Sequence, residues 1–234
     1  MVAFFYCIHL ILIVLIRTNF ASRIEARLLF DLLKQNYYDH RVRPVEESNA
    51  TLNVELGLTV RRIINLSSRS SSLTMNVWLT QRWKDSQLTW KPEDYAGIEE
   101  IFLPRHQIYT PDITILNGAE QVIDSSMISR AVVKFDGTVK LVDQLTWKSD
   151  CVFEHIETEV RCTVKLGSWS YNTALLNLTV GEVDATTFVV PHRQWLIEKS
   201  STTRLVRYEV AETDNKFFAI DFVFSFTRRA DADY

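Results

Sequence analysis

Tryptophan is the side chain in this sequence that offers most to a ligand. The chain contains six tryptophans among its 234 residues. The face of an indole ring carries negative electrostatic potential and attracts an ammonium group within about 6 Å of the ring centroid. Trp83 and Trp169 each stand in a stretch typical of a β-strand, where a tryptophan usually packs into the core. The pattern by itself leaves both interpretations open, core packing and cation binding.

The three cysteines fall in two regions. Cys7 lies in the apolar N-terminal stretch VAFFYCIHLILIVLI, whereas ten residues separate Cys151 from Cys162. The apolar stretch is short for a membrane span and is followed by small residues, which favours a secretory signal peptide over residues 1–21. In an oxidising compartment we expect Cys151 and Cys162 to form one disulfide. Closing that loop would stabilise the chain by roughly 3 kcal/mol.

Other features agree with an extracellular protein and exclude several classes of function. Three N-x-S/T sequons predict glycosylation at Asn49, Asn65 and Asn177. The formal net charge is -3 and no Lys/Arg run exceeds two residues, so no nucleic-acid partner is expected. The histidines lack metal-ligand spacing, and no second apolar stretch reaches membrane-span length. We expect no metal, no cofactor and no membrane span in the mature chain.

Motifs for enzymatic chemistry are also missing from the sequence. There is no G-x-S-x-G nucleophile elbow. Both cysteines of the mature chain are expected to be oxidised, which leaves no Cys/His nucleophile pair. We therefore expect a protein that is not an enzyme.

In the mature chain, the apolar residues first recur at the spacing of an α-helix and then at the spacing of β-strands. An apolar stripe at helical spacing comprises Ile24, Leu28, Leu29, Leu32 and Leu33. From about residue 51 the period becomes two. In the run 75–83, one face holds Met75, Val77, Leu79 and Trp83, and the other holds Asn76, Thr80 and Arg82. Asp136-Gly137 joins two β runs and predicts a hairpin.

These elements predict one domain over residues 22–234. Near its end, every second residue from 218 to 226 is Phe or Ile, as in a strand with one buried face. We expect an all-β, immunoglobulin-like β-sandwich of about ten strands with an N-terminal α-helix. Adhesion modules and lectins would share this pattern, so the fold alone does not assign a function.

The chain contains, in this order, the segments RLLFDLLKQNYYDHRVRPV (27–45), NVWLTQRWKDSQLTWKPEDYAGI (76–98), YTPDITILN (109–117), VVKFDGTVKLV (132–142), KSDC…CTVKLGSWSY (148–171), RQWLIEK (193–199), RYEVAE (207–212) and FVFSFTRR (222–229). Together they resemble the extracellular ligand-binding domain of Cys-loop (pentameric) neurotransmitter-gated ion channels. Within that family, the chain is most similar to non-alpha nicotinic acetylcholine receptor subunits and to acetylcholine-binding proteins.

The resemblance implies a ligand site between two subunits, where aromatic faces surround a cationic amine. On the principal face, Trp169 matches the central cation-binding tryptophan. Tyr208 and Phe217 match the two aromatic positions of the hairpin that closes over the ligand. Leu116 stands where acetylcholine-binding faces carry tyrosine. Asp112 is expected to fix a turn rather than to touch ligand.

On the complementary face, contributed by the neighbouring subunit, the resemblance implies a role for Trp83. Val132, Lys140 and Val142 are implied to line the rest of that face, and Lys140 places a cation near the site. The other tryptophans that match structural positions are interpreted as core: Trp78, Trp90 and Trp195.

Departures from the family pattern leave two functions open. Leu116 removes an aromatic side chain, and Val210-Ala211 replace the vicinal cysteines of alpha-type subunits. The first hypothesis is a subunit of a homo- or hetero-pentamer that binds a cationic small-molecule neurotransmitter. Under it, the chain acts through its complementary face, or binds another amine such as choline, betaine or a biogenic amine. The alternative is a structural or assembly subunit of a pentameric receptor without a competent agonist site of its own.

The loop between Cys151 and Cys162 is shorter than that of receptors and suited to water. Its sequence, VFEHIETEVR, lacks the apolar turn that contacts a membrane domain in receptors. The chain also ends five residues after FTRR, where receptor subunits enter their first membrane helix. We expect a soluble, secreted homologue, or a location at the postsynaptic plasma membrane if the chain assembles with full-length subunits.

Overall fold

The computed structural model describes residues 23–120, 129–155, 159–187, 189–198, 202–209 and 216–229. The signal peptide predicted for residues 1–21 lies outside the described residues. Within these ranges, no helix combines the length and the apolar character needed to cross a membrane.

The N-terminal helix forms as its apolar stripe predicts. Residues 23–30 are α-helical and continue into a π-helical turn, Asp31–Gln35. Leu28 and Leu32 are buried against the sheet, whereas Phe30 is exposed. The Tyr95 hydroxyl donates to Asp31 Oδ2 at 2.9 Å, which ties the helix to the loop that holds Tyr95.

A buried hydrogen-bond chain lies beneath the segment that follows the helix. The Tyr38 hydroxyl donates to Asp85 Oδ2 at 2.7 Å and accepts the Tyr109 backbone N–H at 2.9 Å. Asp85 is fully buried, and this burial raises the pKa of its carboxyl group. The hydrogen bonds satisfy polar groups that would otherwise be costly to bury.

After the helix, the described chain consists of β-strands joined by loops and by two short 3-10 helices, Pro92–Tyr95 and Arg105–Gln107, which confirms the all-β prediction. Its strands in chain order are β1 (Leu52–Ser67), β2 (Ser72–Thr89), β3 (Glu100–Pro104), β4 (Ile113–Ile115), β5 (Gly118–Glu120), β6 (Arg130–Lys134), β7 (Asp136–His155), β8 (Glu159–Ser168), β9 (Leu176–Asp184), β10 (Trp195–Ile197), β11 (Thr202–Glu209) and β12 (Lys216–Arg228).

The strands form one curled, sandwich-like array in the order β10-β12-β8-β7-β2-β1-β9. Strand β7 is long enough to pair with β2 along its first part and with β8 near its end. Strand β9 pairs with β1 in parallel, whereas the other named pairings between described strands are antiparallel. β7 therefore joins the two layers that enclose the core.

The alternation predicted for the strands is observed. In β2, Met75, Val77 and Leu79 are buried. In β12, Phe222, Phe224 and Phe226 are also buried. Because successive side chains of a strand point to opposite faces, each strand contributes one apolar face to the core.

The predicted hairpin is also present, between β6 and β7. Val132 pairs with Lys140, and Val133 pairs with Val139. Gly137 has φ 81°, a backbone region that favours glycine. A Cβ at this position would also collide with the backbone carbonyl oxygen of Asp85.

The disulfide between Cys151 and Cys162 is confirmed and joins β7 to β8, with the two Cα atoms 4.2 Å apart. Of the three sequon asparagines, Asn49 and Asn65 are exposed. Asn177 is half-buried and donates from Nδ2 to Asn53 Oδ1 at 2.9 Å. Glycosylation at these residues stays a prediction.

Candidate functional site

Trp169 is the most exposed of the six tryptophans, with 74% of its surface accessible. It follows directly after the end of β8, so its side chain is not part of the sheet's alternating pattern. Its backbone N–H donates to the Asp112 carbonyl oxygen at 3.3 Å. The indole is therefore held on an ordered turn while its ring lies open at the surface of the subunit.

The carboxylate of Asp112 holds the backbone on both sides of Trp169. Oδ1 accepts the Ser168 hydroxyl at 2.6 Å, and Oδ2 accepts the Ser170 backbone N–H at 2.7 Å. The Ser168 hydroxyl oxygen also accepts the Tyr171 backbone N–H at 2.9 Å. Asp112 thus fixes this turn, as predicted.

Leu116 packs beside the strand that leads to Trp169. Its backbone N–H donates to the Lys165 carbonyl oxygen at 2.8 Å. A Cβ added at Gly167 would lie 2.8 Å from Leu116 Cδ1, so the glycine makes room for the leucine. Leu116 is half-buried, and it presents an aliphatic side chain where an aromatic ring would offer a π-face.

Phe217 lies at the same end of the sheet. It pairs with Tyr208 across β11 and β12 and is half-buried. Ala219, two residues later, pairs with Gly167, so Phe217 stands level with the end of β8. The side chain of Tyr208 and residues Val210 and Ala211 lie outside the part of the chain that the structure describes.

Arg43 is a positioning residue that the sequence reasoning missed. Nη1 donates to the carbonyl oxygens of Ala50 at 2.7 Å and Leu175 at 2.8 Å. The guanidinium carbon lies 5.8 Å from the ring centroid of Tyr171. Arg43 therefore ties the segment before β1 to the loop that carries Trp169. A lone arginine in a loop gives no local signal for such a contact.

Three of the residues predicted for the complementary face lie together. Val132 pairs directly with Lys140, and Val142 lies two residues further along the same outward face of β7. Lys140 and Val142 are exposed, and Val132 is half-buried. The structure thus brings these three side chains to one surface, about 10 Å or less apart by strand geometry.

Trp83 does not share that surface, and its predicted place on the complementary face is corrected. Only 3% of its surface is exposed, and it belongs to the apolar core. Its Nε1 has no hydrogen-bond partner within the described ranges. The physical reason is the strand period, since Trp83 follows the inward residues Met75, Val77 and Leu79 of β2.

Trp78 takes the outward position instead, which corrects its interpretation as core. It is 37% exposed and pairs with Gln144, next to the Thr80–Val142 pair. The guanidinium carbon of Arg61 lies 4.2 Å from its ring centroid. We call Trp78, Val132, Lys140 and Val142 the outer wall. Trp90 and Trp195 are each 9% exposed and are core residues, as predicted.

The charges around the outer wall are only partly balanced. Arg82 pairs with Glu55 at 2.8 Å, and Lys84 pairs with Asp136 at 2.8 Å. The hydrogen bond from Lys84 lowers the pKa of Asp136 to about 2. Lys140 takes part in none of the ion pairs found between described residues. Lys140 therefore places a positive charge beside Val142 that no ion pair between described residues offsets.

Comparisons with known proteins agree with this geometry. The profile described as "Neurotransmitter-gated ion-channel ligand binding domain" matches residues 25–230. A neuronal acetylcholine receptor subunit beta-2 of Gallus gallus is 32% identical over 190 residues, 80% of this chain and 39% of the relative. Subunit alpha-5 of the same species is 33% identical over 169 residues, 71% of this chain and 37% of the relative. The beta-3 subunit is 35% identical over 144 residues, 60% of this chain and 32% of the relative. The chain thus spans between 32% and 39% of the length of these relatives.

Proposed function

The chain belongs to the neurotransmitter-gated ion-channel ligand-binding domain family, and on that premise we propose that it binds an acetylcholine-like cationic amine at subunit interfaces. The relatives are acetylcholine receptor subunits, which are parts of ligand-gated channels rather than enzymes. In this proposal the chain assembles with itself or with related subunits into a pentamer. It acts outside the cell, after export directed by residues 1–21.

The observation that carries the proposal is the exposure of Trp169. With 74% of its surface accessible, the indole of Trp169 has a ring face that a cationic ligand can reach. The hydrogen bonds to Asp112 order the backbone on both sides of Trp169, so less backbone entropy is lost when a ligand docks. A desolvated ammonium against its face contributes about 0.5 to 2 kcal/mol.

The other residues of the site have unequal roles in this proposal. Phe217 pairs with Tyr208 on the neighbouring strand, and we assign both to the principal face with Trp169. Leu116 offers only aliphatic contact. The outer wall of the next subunit completes the site, and Trp83 supports it from behind as a core residue.

A fluorescence titration of the secreted protein with acetylcholine and choline tests the proposal. We expect quenching in the wild type and a loss of about tenfold or more in affinity in Trp169→Ala. Phe30→Ala removes an aromatic side chain that is 59% exposed on the N-terminal helix, and serves as the matched control. Equal binding by Trp169→Ala and wild type would contradict the proposal. Light scattering coupled to size exclusion should show a pentamer, and a monomer would count against an interfacial site.

A structural or assembly role is the second candidate. It is favoured by Leu116 on the principal face and by Arg61, which covers the ring of Trp78. Under this role, co-expression of Trp169→Ala with related subunits leaves agonist responses unchanged. A shifted agonist response in that variant would instead favour the binding role.

A further inference from the structure

A cavity of about 200 Å³ lies at the end of β12 that is remote from Trp169. Ala219 of β12 pairs with Gly167 near Trp169, and Arg229 at the cavity lies roughly 30 Å further along at the rise of a β-strand. Most of the cavity wall is apolar, including Ile63, Ala185, Val189, Pro191, Trp195 and Ile197. Apolar cavities of about 150 Å³ are large enough to hold benzene. A ring of that size therefore fits here.

Backbone contacts hold the walls of this cavity in place. The Val190 backbone N–H donates to the Arg61 carbonyl oxygen at 2.9 Å, which fixes the segment before β10 against β1 beside Ile63. On the other side, β10 pairs with the end of β12, with Trp195 opposite Arg228. The cavity is therefore formed before any ligand enters it, as is usual for small-molecule sites.

Arg229 contributes an N–H group that has no acceptor. Its Nε is buried and makes no hydrogen bond within the described ranges. Its guanidinium also takes part in none of the ion pairs found between described residues. A buried donor without an acceptor is costly, and most for a charged group. An oxygen atom of a ligand in the cavity would supply the acceptor.

His192 contributes a second donor to the cavity. Its Nδ1 accepts the backbone N–H groups of Gln194 and Trp195, each at 3.2 Å, so the neutral ring carries its proton on Nε2. The Gln194 carbonyl oxygen accepts the Arg229 backbone N–H at 2.9 Å. Gln194 therefore holds the backbone of both donor residues. Burial, followed by the charges of Arg229 and Arg62, lowers the pKa of His192, which agrees with a neutral ring.

The cavity wall offers positive charge without a carboxylate to offset it. Among the described residues that line the cavity, none is acidic. Asp184 precedes the wall residue Ala185, but its Oδ1 accepts the backbone N–H groups of Thr186 and Thr187, at 2.9 and 2.8 Å. An anion is therefore the ligand charge that suits this wall.

We propose that this cavity binds a small apolar monocarboxylate, whose oxygens accept the N–H groups of Arg229 Nε and His192 Nε2. The hydrocarbon part of the ligand lies against Trp195 and Ile63. The cavity belongs to one subunit and takes no amine, so this assignment does not depend on the proposed function.

Three probes separate the charge of the ligand from its apolar part. Benzoate and benzamide have nearly the same shape and differ in charge, whereas acetate keeps the carboxylate and lacks the ring. By calorimetry on the secreted protein, in a buffer without carboxylate or phosphate, we expect benzoate to bind about tenfold more tightly than benzamide. Acetate should bind at least about tenfold more weakly than benzoate, because it buries little apolar surface.

Two substitutions test the donors. Arg229→Gln should reduce the preference for benzoate over benzamide to about threefold or less. Arg228→Gln is the matched control, since it removes the same charge from the exposed neighbouring residue and should leave the preference unchanged. His192→Asn keeps an acceptor for the backbone N–H groups but has no atom at the position of Nε2, and should also weaken benzoate binding.

A third substitution tests the location of the ligand. Ala185 is buried in the cavity wall, and Ala185→Leu should fill much of the space and abolish binding of both benzoate and benzamide. Ala174→Leu adds the same atoms at an exposed residue and should not affect binding. Urea unfolding of both variants checks that each is folded.

Benzamide or acetate binding as tightly as benzoate would overturn the assignment of an apolar carboxylate. Unchanged benzoate binding in a folded Ala185→Leu variant, or in Arg229→Gln, would place the ligand elsewhere and overturn the site. Acetylcholine binding in the same protein is measured separately, so loss of either activity is assigned to its own site.

Discussion

Ser168 donates its hydroxyl proton to Asp112 Oδ1 at 2.6 Å, one residue before the exposed indole of Trp169. The two residues lie 56 positions apart in the chain. The second oxygen of Asp112 accepts the Ser170 backbone N–H, so one carboxylate orders the turn from both sides. The most exposed tryptophan of the protein is thus also one whose backbone is well fixed.

Asp112→Asn should weaken ligand binding without unfolding the protein. An amide has one acceptor oxygen, so one of the two hydrogen bonds is lost and Trp169 is less well positioned. We expect a decrease of about tenfold in affinity for the tightest-binding amine, measured by calorimetry, from one charge-assisted hydrogen bond. Asp150→Asn, at an exposed carboxylate of β7, is the control. Unchanged affinity in Asp112→Asn would show that the turn does not depend on this carboxylate.

Removal of the two tryptophans of β2 should destabilise the protein by unequal amounts. Trp83→Ala creates a cavity in the core and should lower the free energy of unfolding by about 3 to 5 kcal/mol. Trp78→Ala removes a partly exposed ring and should cost about 1 kcal/mol. Urea unfolding of both variants measures the difference. Equal losses would mean that the inward and outward positions are not distinguished as the burial indicates.

Removal of the disulfide should destabilise the protein moderately. Replacing Cys151 and Cys162 together by alanine frees the loop in the unfolded state, which we expect to lower the free energy of unfolding by about 3 kcal/mol. Thermal or urea unfolding is the measurement. A reducing agent should produce the same decrease in wild type and none in the double variant. If the reducing agent further lowered the free energy of unfolding of the double variant, it would act on something other than this bond.

His192 should make stability depend on pH. Its Nδ1 accepts the backbone N–H groups of Gln194 and Trp195, each at 3.2 Å. Burial, with Arg229 and Arg62 nearby, lowers its pKa below the ordinary value. As the pH falls through about 6.5, the unfolded chain takes up the proton first, so the unfolded state binds more protons and the free energy of unfolding decreases.

His192→Asn keeps an acceptor oxygen and does not titrate. Unfolding measured at about pH 8 and about pH 5 should show a loss in wild type that is smaller in this variant. The same loss in both proteins would assign the pH dependence to other groups. His40→Asn serves as the control. His40 is exposed, and among the described residues its ring accepts no backbone N–H.

The sequence by itself determined the class of fold, the helix, the hairpin, the disulfide and the faces of the strands. These follow from local periodicity, because a period of two assigns each residue of a strand to one of two faces. That alternation already places Trp83 on the same face as Met75, Val77 and Leu79. It therefore predicts that Trp78, on the opposite face, is the outward tryptophan. The resemblance to a family, taken without the alternation, assigned the wrong one.

Only the tertiary structure decided which distant groups meet. Three contacts illustrate this: Arg61 stacks over Trp78, Asp112 accepts the hydroxyl of Ser168, and Arg43 donates to the carbonyl oxygen of Leu175. They depend on strand register and on loops that bring distant parts of the chain together. Local periodicity carries no information about such contacts, because they arise from the packing of whole elements rather than from neighbours in the chain. The inward face of a strand could therefore be predicted from its alternation, whereas the contacts between distant elements could not.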